Sequence, residues 1–511
     1  MRADEISLTD EDSYARGGVP YPALAWLRAN APVYWHAGRP GFWAVTKHRD
    51  VEYVSRHPGL FSSHRRLALF DELPDEDVEA HRLMMLNMDP PRHTRQRGFV
   101  SRVFTPKMVA RMETDIQRIC HALLDAVAPR GAADFVRDIA APLPLQVLCE
   151  LMGIPAADRP RLFRLSNQLA GYAGDEYIPC AGAQAASVMR DAALEYYLYA
   201  NDLATQRNAN PCDDIVTRLL GKDGEGESLT TDEFDMFMLM LAVAGTETTR
   251  NAAAGGMLAF FEHPAQWRRL LAEPGLAASA AEEVVRWVSP VNMFRRTATR
   301  DTEIGGQPVA EGDKVVVFYS SANRDEDVFA DPETFDIGRD PNPHLGFGGG
   351  GPHFCLGRHL AVLQLRVLFT TLAERMPGIA LAGQPVRHRS NFTNGINQLP
   401  VRLVLLKSPR GARGRAGQRA WGRAQPVPGV QCAATGIGAH RQSRQQRGRL
   451  PLCGGSTLVS RGPVTTKGQS ATLTDADRAC RRPAGRAACH SRTARRAVST
   501  RCSGTLTSRQ R

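Results

Sequence analysis

The chain has 511 residues, 43% of them hydrophobic, so it is long enough to bury at least one large core. Its net charge of +11 is uneven, because residues 408–511 hold 21 of the 64 Lys and Arg and two of the 53 Asp and Glu. Residues 1–407 therefore carry a net charge of −8 and give no indication of a basic nucleic-acid-binding body. The first residues are polar and acidic, and no apolar run reaches the roughly 20 residues that span a bilayer. We expect a cytoplasmic protein without a membrane anchor.

Residues 408–511 differ in composition from the rest of the chain. They are rich in Arg, Gly, Ala and Ser, and they lack the apolar periodicity of a packed helix or strand. We interpret them as a basic low-complexity tail that is either disordered or an out-of-frame extension. A nucleic-acid-binding arm is the alternative, but no aromatic residue beyond Trp421 is interleaved with the arginines, so no nucleic-acid partner is predicted. The functional domain is then 1–407.

The predicted elements of this domain begin with a hairpin, in which two short strands flank the turn GRPG at 38–41. From about 90 to 290 the pattern is helical, as in 106–127, where apolar residues recur at spacings of three and four. Short strands return at 302–320, and a last helix is predicted at 358–376. We therefore expect a mainly α domain with a small β region.

The segment 229–264 predicts one long buried helix, because it is apolar nearly all round and begins with a capping box formed by Thr230 and Glu233. Its middle, however, reads AGTETT at 244–249. A carboxylate and hydroxyls inside a buried helix are costly unless they face something polar. The hydroxyls could simply bond to the preceding turn, but an acid beside an alcohol is also what proton delivery to a buried site requires.

A glycine-rich loop, GFGGGGPHFCLG at 346–357, presents Cys355 just before the last helix. The domain's five cysteines contain no CxxC pair, which argues against a disulfide framework or a zinc ribbon. A thiolate is a strong metal ligand when backbone N–H groups or a helix N-terminus stabilise its charge. The alternative is a buried small apolar side chain, but that alternative does not account for the glycines.

Three motifs together, GFGGGGPHFCLG, AGTETT and Glu283-Val-Val-Arg286, resemble the cytochrome P450 family, and the resemblance covers about 14–405. It implies the cytochrome P450 fold, a haem cofactor, O2 as co-substrate and Cys355 as the axial thiolate ligand of the iron. It also implies that Glu283 and Arg286 form a structural ion pair. Glu247 and Thr248 match the acid and alcohol that deliver protons for dioxygen activation.

The resemblance implies a further set of cofactor-binding residues. The haem-propionate partners are expected to be cationic or hydrogen-bonding side chains, since a dianion inside an apolar body needs them. They are His93, Arg97, Arg296 and His353. The remaining cofactor-binding positions, taken from the motifs, are Ala244, Gly245, Phe347 and Gly357.

Two departures from the family pattern stand out. Thr334 occupies a position where many members have an arginine that joins the Glu–Arg pair, and Arg339 is the candidate substitute. Seven residues separate Phe347 from Cys355, whereas six is the commonest number. The longer loop, with RSNFTNGINQLPV at 389–401, is similar to the actinobacterial subgroup that hydroxylates the terminal carbon of cholesterol side chains and methyl-branched lipids.

A hydrophobic substrate pocket is expected from the family positions, and its predicted walls offer little to orient a polar ligand. The wall residues are Leu86, Asn87, Met240, Val243, Ala244, Val291, Met293, Phe294, Phe392 and Thr393. Glycines 171, 174 and 182 interrupt the helices of 162–200, which predicts a mobile lid. Without a fused flavin domain, electrons are expected from a ferredoxin and its reductase, and the predicted docking face carries Arg95, Arg102, Lys107 and Arg358.

The leading functional hypothesis is a haem-thiolate monooxygenase that hydroxylates an unactivated C–H of a steroid side chain or a methyl-branched lipid. A tailoring hydroxylase of a terpene or polyketide pathway is the alternative within the class. From another class comes a non-catalytic haem sensor or carrier, for which Glu247 and Thr248 would be dispensable. A damaged, non-functional reading frame is a further alternative, raised by the abnormal tail.

Overall fold

A computed structural model of the chain describes residues 5–404, except 39–40, 71, 73–77, 80, 170–182 and 223–225. All of these lie in one contact unit of the chain, Met1–Gly436. The predicted tail, 408–511, and the three glycines of the predicted lid lie outside the described residues. No helix within the described part of the chain is long and apolar enough to span a membrane.

Helices dominate the described residues, as the apolar periodicity predicts. Numbered in chain order, the α-helices are α1 Glu11–Gly17, α2 Tyr21–Asn30, α3 His48–Arg56, α4 Arg92–Ser101, α5 Pro106–Arg111, α6 Glu113–Val127, α7 Pro142–Leu151, α8 Arg159–Leu169, α9 Ala183–Ala209, α10 Ile215–Leu220, α11 Thr231–Glu262, α12 Pro264–Ala272, α13 Ala277–Val288, α14 Tyr319–Ala322 and α15 Arg358–Arg375. The helix predicted at 106–127 is two helices, because the chain turns at Met112, where α5 ends and α6 begins.

Over the described residues, the strands form one five-stranded sheet and three smaller sheets. They are β1 Val33–His36, β2 Phe42–Val45, β3 Phe61–Ser62, β4 Ala132–Asp134, β5 Met293–Ala298, β6 Thr302–Ile304, β7 Gln307–Val309, β8 Lys314–Phe318, β9 Ala380–Leu381, β10 Val386–Arg387, β11 Ile396–Gln398 and β12 Pro400–Arg402. The five-stranded sheet has the order β1-β2-β8-β5-β3, and only β2 and β8 pair in parallel. The predicted hairpin at its edge is confirmed, with Val33 opposite Val45.

Helix α11 is the central element of the helical part. Its capping box is present as predicted: Glu233 N–H donates to Thr230 Oγ1, and Thr230 N–H donates to the Glu233 carboxylate. With 32 residues at about 1.5 Å each, the helix is close to 50 Å long. It packs against α7, α9 and α13, so its middle turns lie deep inside the protein.

A buried ion pair fixes the segment that leads into the cysteine loop. Arg286 donates to both oxygens of Glu283 at 2.7 and 2.8 Å, and both side chains are fully buried. Arg286 also donates to three backbone carbonyls, those of Asn323, Pro332 and Thr334. The guanidinium therefore satisfies its hydrogen bonds inside the core and holds residues 323–334 against α13.

Candidate active site

A cavity lies between α11 on one side and the cysteine loop with α15 on the other. Its empty space, including the opening to solvent, is about 1570 Å³. One face of α11 lines it at spacings of three and four, which are the positions that share a helix face. These lining residues of α11 are Phe237, Met240, Leu241, Ala244, Gly245, Thr248, Thr249 and Ala252.

Cys355 faces this cavity from the opposite wall. Its side chain is accessible because Sγ opens onto the cavity, although protein atoms surround the sulfur elsewhere. Burial raises the pKa of the thiol, while hydrogen bonds from the backbone N–H groups of Gly357 and Arg358 and the charge of Arg97 act to lower it. Gly357 is the N-cap of α15, so the positive end of a helix points at the sulfur, as the sequence predicts.

The glycines of the loop have two different roles. Gly348, Gly350 and Gly351 have φ of +100°, +81° and +70°, a region that side-chain-bearing residues rarely adopt. Gly349 and Gly351 also press against α3, where an added Cβ would meet Ser55. The close approach that the glycines permit is thus partly to α3, and only Gly346, Gly348 and Gly357 of the loop's glycines line the cavity over the described residues.

Four side chains that can donate hydrogen bonds converge on one end of the cavity: His93, Arg97, Arg296 and His353. The rings of the two histidines lie 4.3 Å apart. His93 Nδ1 and His353 Nε2 are buried and have no hydrogen-bond partner among the described residues. The guanidinium of Arg97 donates to the Phe354 carbonyl and that of Arg296 to the Arg295 carbonyl.

These four side chains fit the carboxylates of a haem. Burial lowers the pKa of His93 to about 4 and also lowers those of His353 and Arg296, because the charge of Asp89, which acts on His93 and Arg296, offsets only part of the cost of burial. An unpaired buried guanidinium and orphaned imidazole nitrogens are costly, and a dianionic ligand would satisfy them. The donor set thus has the chemistry that a propionate pair requires.

The structure separates the predicted acid from the predicted alcohol. Thr248 lines the cavity, and its Oγ1 donates to the Ala244 carbonyl at 2.9 Å. Glu247 lines a second, smaller pocket of about 270 Å³ of empty space, together with Ser166, Asn167 and Arg250. Consecutive helical residues point about 100° apart, so the two side chains reach different sides of α11.

Half of the predicted pocket walls lie where expected. Leu86, Met240, Ala244, Val291 and Phe294 line the cavity, as do all nine predicted cofactor-binding residues. The cavity lining, over the described residues, does not include the other five predicted walls. These are Asn87, Val243, Met293, Phe392 and Thr393.

The exceptions have physical reasons. In β5, neighbouring side chains point to opposite faces of the sheet, so Met293 faces the core while Phe294 faces the cavity. The Asn87 carboxamide is fully buried and links Ala68 N–H to the His81 carbonyl. Val243 precedes Glu247 by one helical turn and shares its face.

Residues 392–393 pack behind the wall and do not form it. Phe392 stacks edge-on against Phe294 at 5.4 Å between ring centroids, and Thr393 forms a β-bridge with Val291. They support two wall residues from one layer behind the cavity surface.

Several lining residues were not predicted from the sequence. On α11 they are Phe237, Leu241, Thr249 and Ala252, which follow from helical spacing along the face of Met240, Ala244 and Thr248. On α15 they are Leu360, Ala361, Gln364 and Leu365, which lie one to three turns after Cys355 on a common face. Gln364 Oε1 is buried without a partner within the described residues.

Comparisons with known proteins agree with this geometry. The sequence profile described as cytochrome P450 matches residues 185–376. The chain is 43% identical over 407 residues to the steroid C26-monooxygenase of Rhodococcus jostii (strain RHA1), covering 78% of this chain and 84% of the relative. It is 44% identical over 391 residues to the methyl-branched lipid omega-hydroxylase of Mycobacterium tuberculosis (strain ATCC 25618 / H37Rv), covering 74% of this chain and 90% of the relative.

Solved structures show the same fold. A Mycobacterium marinum cytochrome P450 in complex with pseudoionone superposes with a TM-score of 0.72 at 39% identity, over 78% of this chain and 99% of that one. A Bacillus subtilis cytochrome P450 of the bacillaene polyketide synthase superposes with a TM-score of 0.69 at 30% identity, over 76% of this chain and 98% of that one. Both matches span nearly the whole of the solved chain.

Proposed function

Because the chain belongs to the cytochrome P450 family of haem-thiolate monooxygenases, which use O2, we propose that Cys355 Sγ would bind the iron of its haem. His93, Arg97, Arg296 and His353 would hold the propionates. The observation that carries this assignment is the convergence of orphaned donors and a helix-capped sulfur on one cavity. When bound, the haem supplies the activation of O2 and the oxidation of a C–H bond.

We assign proton delivery to Thr248 and Glu247. Thr248 Oγ1 lies at the cavity surface on α11 and can both donate and accept a hydrogen bond, so it can hold and pass a proton there. Glu247 faces the smaller pocket, whose lining includes Ser166 Oγ, a buried hydroxyl without a partner among the described residues. That pocket is polar enough to hold water, and Glu247 would take protons from it and pass them along the helix surface towards Thr248.

We propose that the substrate is the aliphatic end of a steroid side chain or of a methyl-branched lipid. The names of the two curated relatives support this proposal, and so does the apolar wall formed by Phe237, Met240 and Leu241 with Val291 and Phe294. A pocket without charged groups at the reacting end holds a substrate by shape and by burial of apolar surface. One oxygen atom of O2 would enter a terminal C–H bond as hydroxyl, and the other would leave as water with two protons and two electrons.

Titration with candidate substrates tests this proposal. The haem-loaded protein is mixed with cholest-4-en-3-one, phytanic acid and a terpene alcohol, the Soret band is followed, and the products are identified by mass spectrometry. We expect a spectral shift and terminal hydroxylation with the first two. A shift and product with the terpene alcohol alone would favour the tailoring-enzyme alternative, for which the pseudoionone and polyketide-synthase neighbours are the supporting observation.

Matched variants connect the titration to the cavity. Val291→Phe adds bulk to a lining residue, and Val328→Phe adds the same bulk at an exposed position. We expect Val291→Phe to weaken binding of the steroid by at least about tenfold, because overpacking a filled pocket costs about 1–3 kcal/mol. Val328→Phe should bind it as the wild type does.

Bacterial members of the family take electrons from a separate redox partner. We propose a ferredoxin with its reductase, and a cytoplasmic location. Two of the four predicted docking cations are already paired: Arg95 donates to Glu233 at 3.1 Å, and Arg358 donates to Glu282 at 2.6 Å. Lys107 is exposed and Arg102 lies over the Phe99 ring, so Lys107→Glu is the sharper test of steering by an acidic partner.

A further inference from the structure

Glu282, the neighbour of the buried Glu283 on α13, binds both sides of the cysteine loop. Its Oε2 lies 2.9 Å from His344 Nε2, and its Oε1 accepts from Arg358 Nη2 at 2.6 Å. His344 precedes the loop at 346–357, and Arg358 is the first residue after it. One carboxylate thus spans a loop whose glycines give it little stiffness of its own.

The His344 side of this contact reaches the loop backbone. Its Nδ1 accepts the Gly346 N–H at 3.1 Å, so the hydrogen-bond network assigns the proton to Nε2, which donates to Glu282. The imidazole also packs on the Phe347 ring at 5.7 Å between centroids. The backbone carbonyl of Phe347 in turn accepts a hydrogen bond from the Cys355 N–H at 2.9 Å. The chain of contacts from Glu282 therefore ends at the backbone of the cysteine.

The Arg358 side reaches the sulfur from the other end. The backbone N–H of Arg358 is one of the two that point at Sγ. Its guanidinium lies over the same Phe347 ring, 5.6 Å from the centroid, and binds Glu282. Desolvation raises the pKa of Glu282, but the hydrogen bond from His344 and the charge of Arg358 outweigh it, so the carboxylate stays ionised.

We propose that Glu282 is a positioning residue for Cys355, which ties the two ends of the loop together and keeps the N–H groups of Gly357 and Arg358 aimed at the sulfur. This inference rests on the proposed role of Cys355 as the residue that would bind the haem iron. Glu283 anchors the preceding segment by accepting from Asn342 Nδ2 at 3.2 Å. Two consecutive acids on α13 therefore hold consecutive parts of the chain that presents the thiolate.

Hydrogen bonds to a ligating sulfur reduce its electron donation and raise the reduction potential of the iron. Loosening the loop should weaken those bonds, so the potential should fall and the thiolate should be lost more easily. A residue that contributes only to folding would change the free energy of unfolding without shifting the potential.

The experiment compares Glu282→Ala and Glu282→Gln with Glu150→Ala in the haem-loaded full-length protein. Glu150 is a close match, since its side chain is 23% exposed like that of Glu282 and it too bridges two partners, in its case Arg118 and Arg159. Both Glu282 variants remove the charge, but glutamine can still bind one partner. A difference between the two variants in either readout therefore comes from the contact between the loop ends and not from the lost charge.

Two readouts are used: the rate at which the thiolate-type Soret band of the reduced CO complex is lost in mild denaturant, and the reduction potential. We expect Glu282→Ala to lose the band about tenfold faster than the wild type, which corresponds to about 1.4 kcal/mol. The reduction potential of Glu282→Ala should lie below that of Glu282→Gln. The rate of band loss in Glu282→Gln should lie between the rates of the wild type and of Glu282→Ala. If Glu282→Ala does not retain haem, Arg358→Met takes its place, and we expect it too to lose the band faster and to have a lower reduction potential.

Glu282→Ala behaving like Glu150→Ala in both readouts would overturn the proposal. So would a faster band loss in Glu282→Ala with a potential equal to that of Glu282→Gln, since that would be a stability effect alone. Absence of a thiolate-type band in the wild type is a separate result. It would overturn the Cys355 assignment itself, whatever the Glu282 variants do.

Discussion

Arg339 Nε lies 3.4 Å from Glu283 Oε2, and its side chain is 10% exposed. It also donates to the carbonyls of Ala330, Asp331 and Thr334. Arg339 therefore lies beside Glu283 in a chain that has Thr334 where many family members have an arginine. Glu283 consequently binds two guanidiniums, those of Arg286 and Arg339. The chain between these two arginines is therefore held at both ends.

Breaking this cluster should cost much of the protein's stability. We expect Glu283→Gln to lower the free energy of unfolding by about 3–5 kcal/mol, because it leaves Arg286 buried and unpaired. Arg339→Met should cost less, since Arg286 keeps its partner. The control is Glu273→Gln, whose exposed pair with Arg269 spans 4.0 Å and should contribute at most about 0.5 kcal/mol. Urea unfolding of the haem-loaded protein measures all three, and equal effects for Glu283→Gln and Glu273→Gln would refute the role.

Substitution at Gly351 tests the packing of the cysteine loop on α3. Gly351→Ala places a side chain at φ +70° against the Ser55 carbonyl, so we expect a loss of at least about 1–2 kcal/mol and a lower haem content. Gly98→Ala is the control, because Gly98 lies inside α4 with no atom near an added Cβ. That change should stabilise the helix by about 0.5–1 kcal/mol. A neutral Gly351→Ala would mean that α3 does not constrain the loop.

Thr248→Ala should uncouple electron consumption from hydroxylation. Without the hydroxyl at the cavity surface, protons are delivered at the wrong time, and we expect peroxide in place of product, with coupling reduced on the order of tenfold or more. Thr370→Ala is matched to it, since Thr370 Oγ1 makes the same bond to the carbonyl four residues earlier, on α15. Product and peroxide per NADH consumed are the measurements. Unchanged coupling in Thr248→Ala would contradict the assignment, and a wild type without turnover would support the haem-carrier alternative.

The acid stability of the haem-free protein should depend on His93. Burial lowers its folded-state pKa to about 4, whereas an unfolded histidine has a pKa of about 6.5. Between those pH values the unfolded chain binds a proton that the folded chain does not, so stability falls as the pH falls through this window. His93→Gln should therefore lose less stability than the wild type between pH 7 and 5. Haem propionates favour the charged ring, so loading haem should shrink this difference; a difference that persists would argue against propionate contact.

Features set by local pattern could be predicted, and those set by distant contacts could not. The capping box and apolar run placed α11 within two residues of its ends, because both signals lie in the helix itself. Glu247 and Thr248 belong to one motif but lie on different sides of the helix. This separation follows from the rotation of about 100° per residue in an α-helix and is therefore predictable from the sequence. The contacts of Glu282 with His344 and of Gly351 with Ser55 join residues 62 and 296 positions apart, and nothing local encodes them.

The alternation of side chains along β5 explains in the same terms why Met293 is not part of the cavity lining. Its identity as a large apolar residue fits either face of the sheet, and only the register of β5 with β8 decides which face is the cavity. Phe392 and Thr393 lie next to the wall because their loop packs on Phe294 and Val291.

The CO difference spectrum of the reduced protein tests the central claim, that Cys355 ligates the haem iron. We expect a red-shifted, thiolate-type Soret band in the wild type and its loss in Cys355→Ser, with Cys149→Ser retaining the band because Cys149 is buried and is not part of the cavity lining. A haem-loaded wild type without that band, or a Cys355→Ser variant that keeps it, would contradict the account.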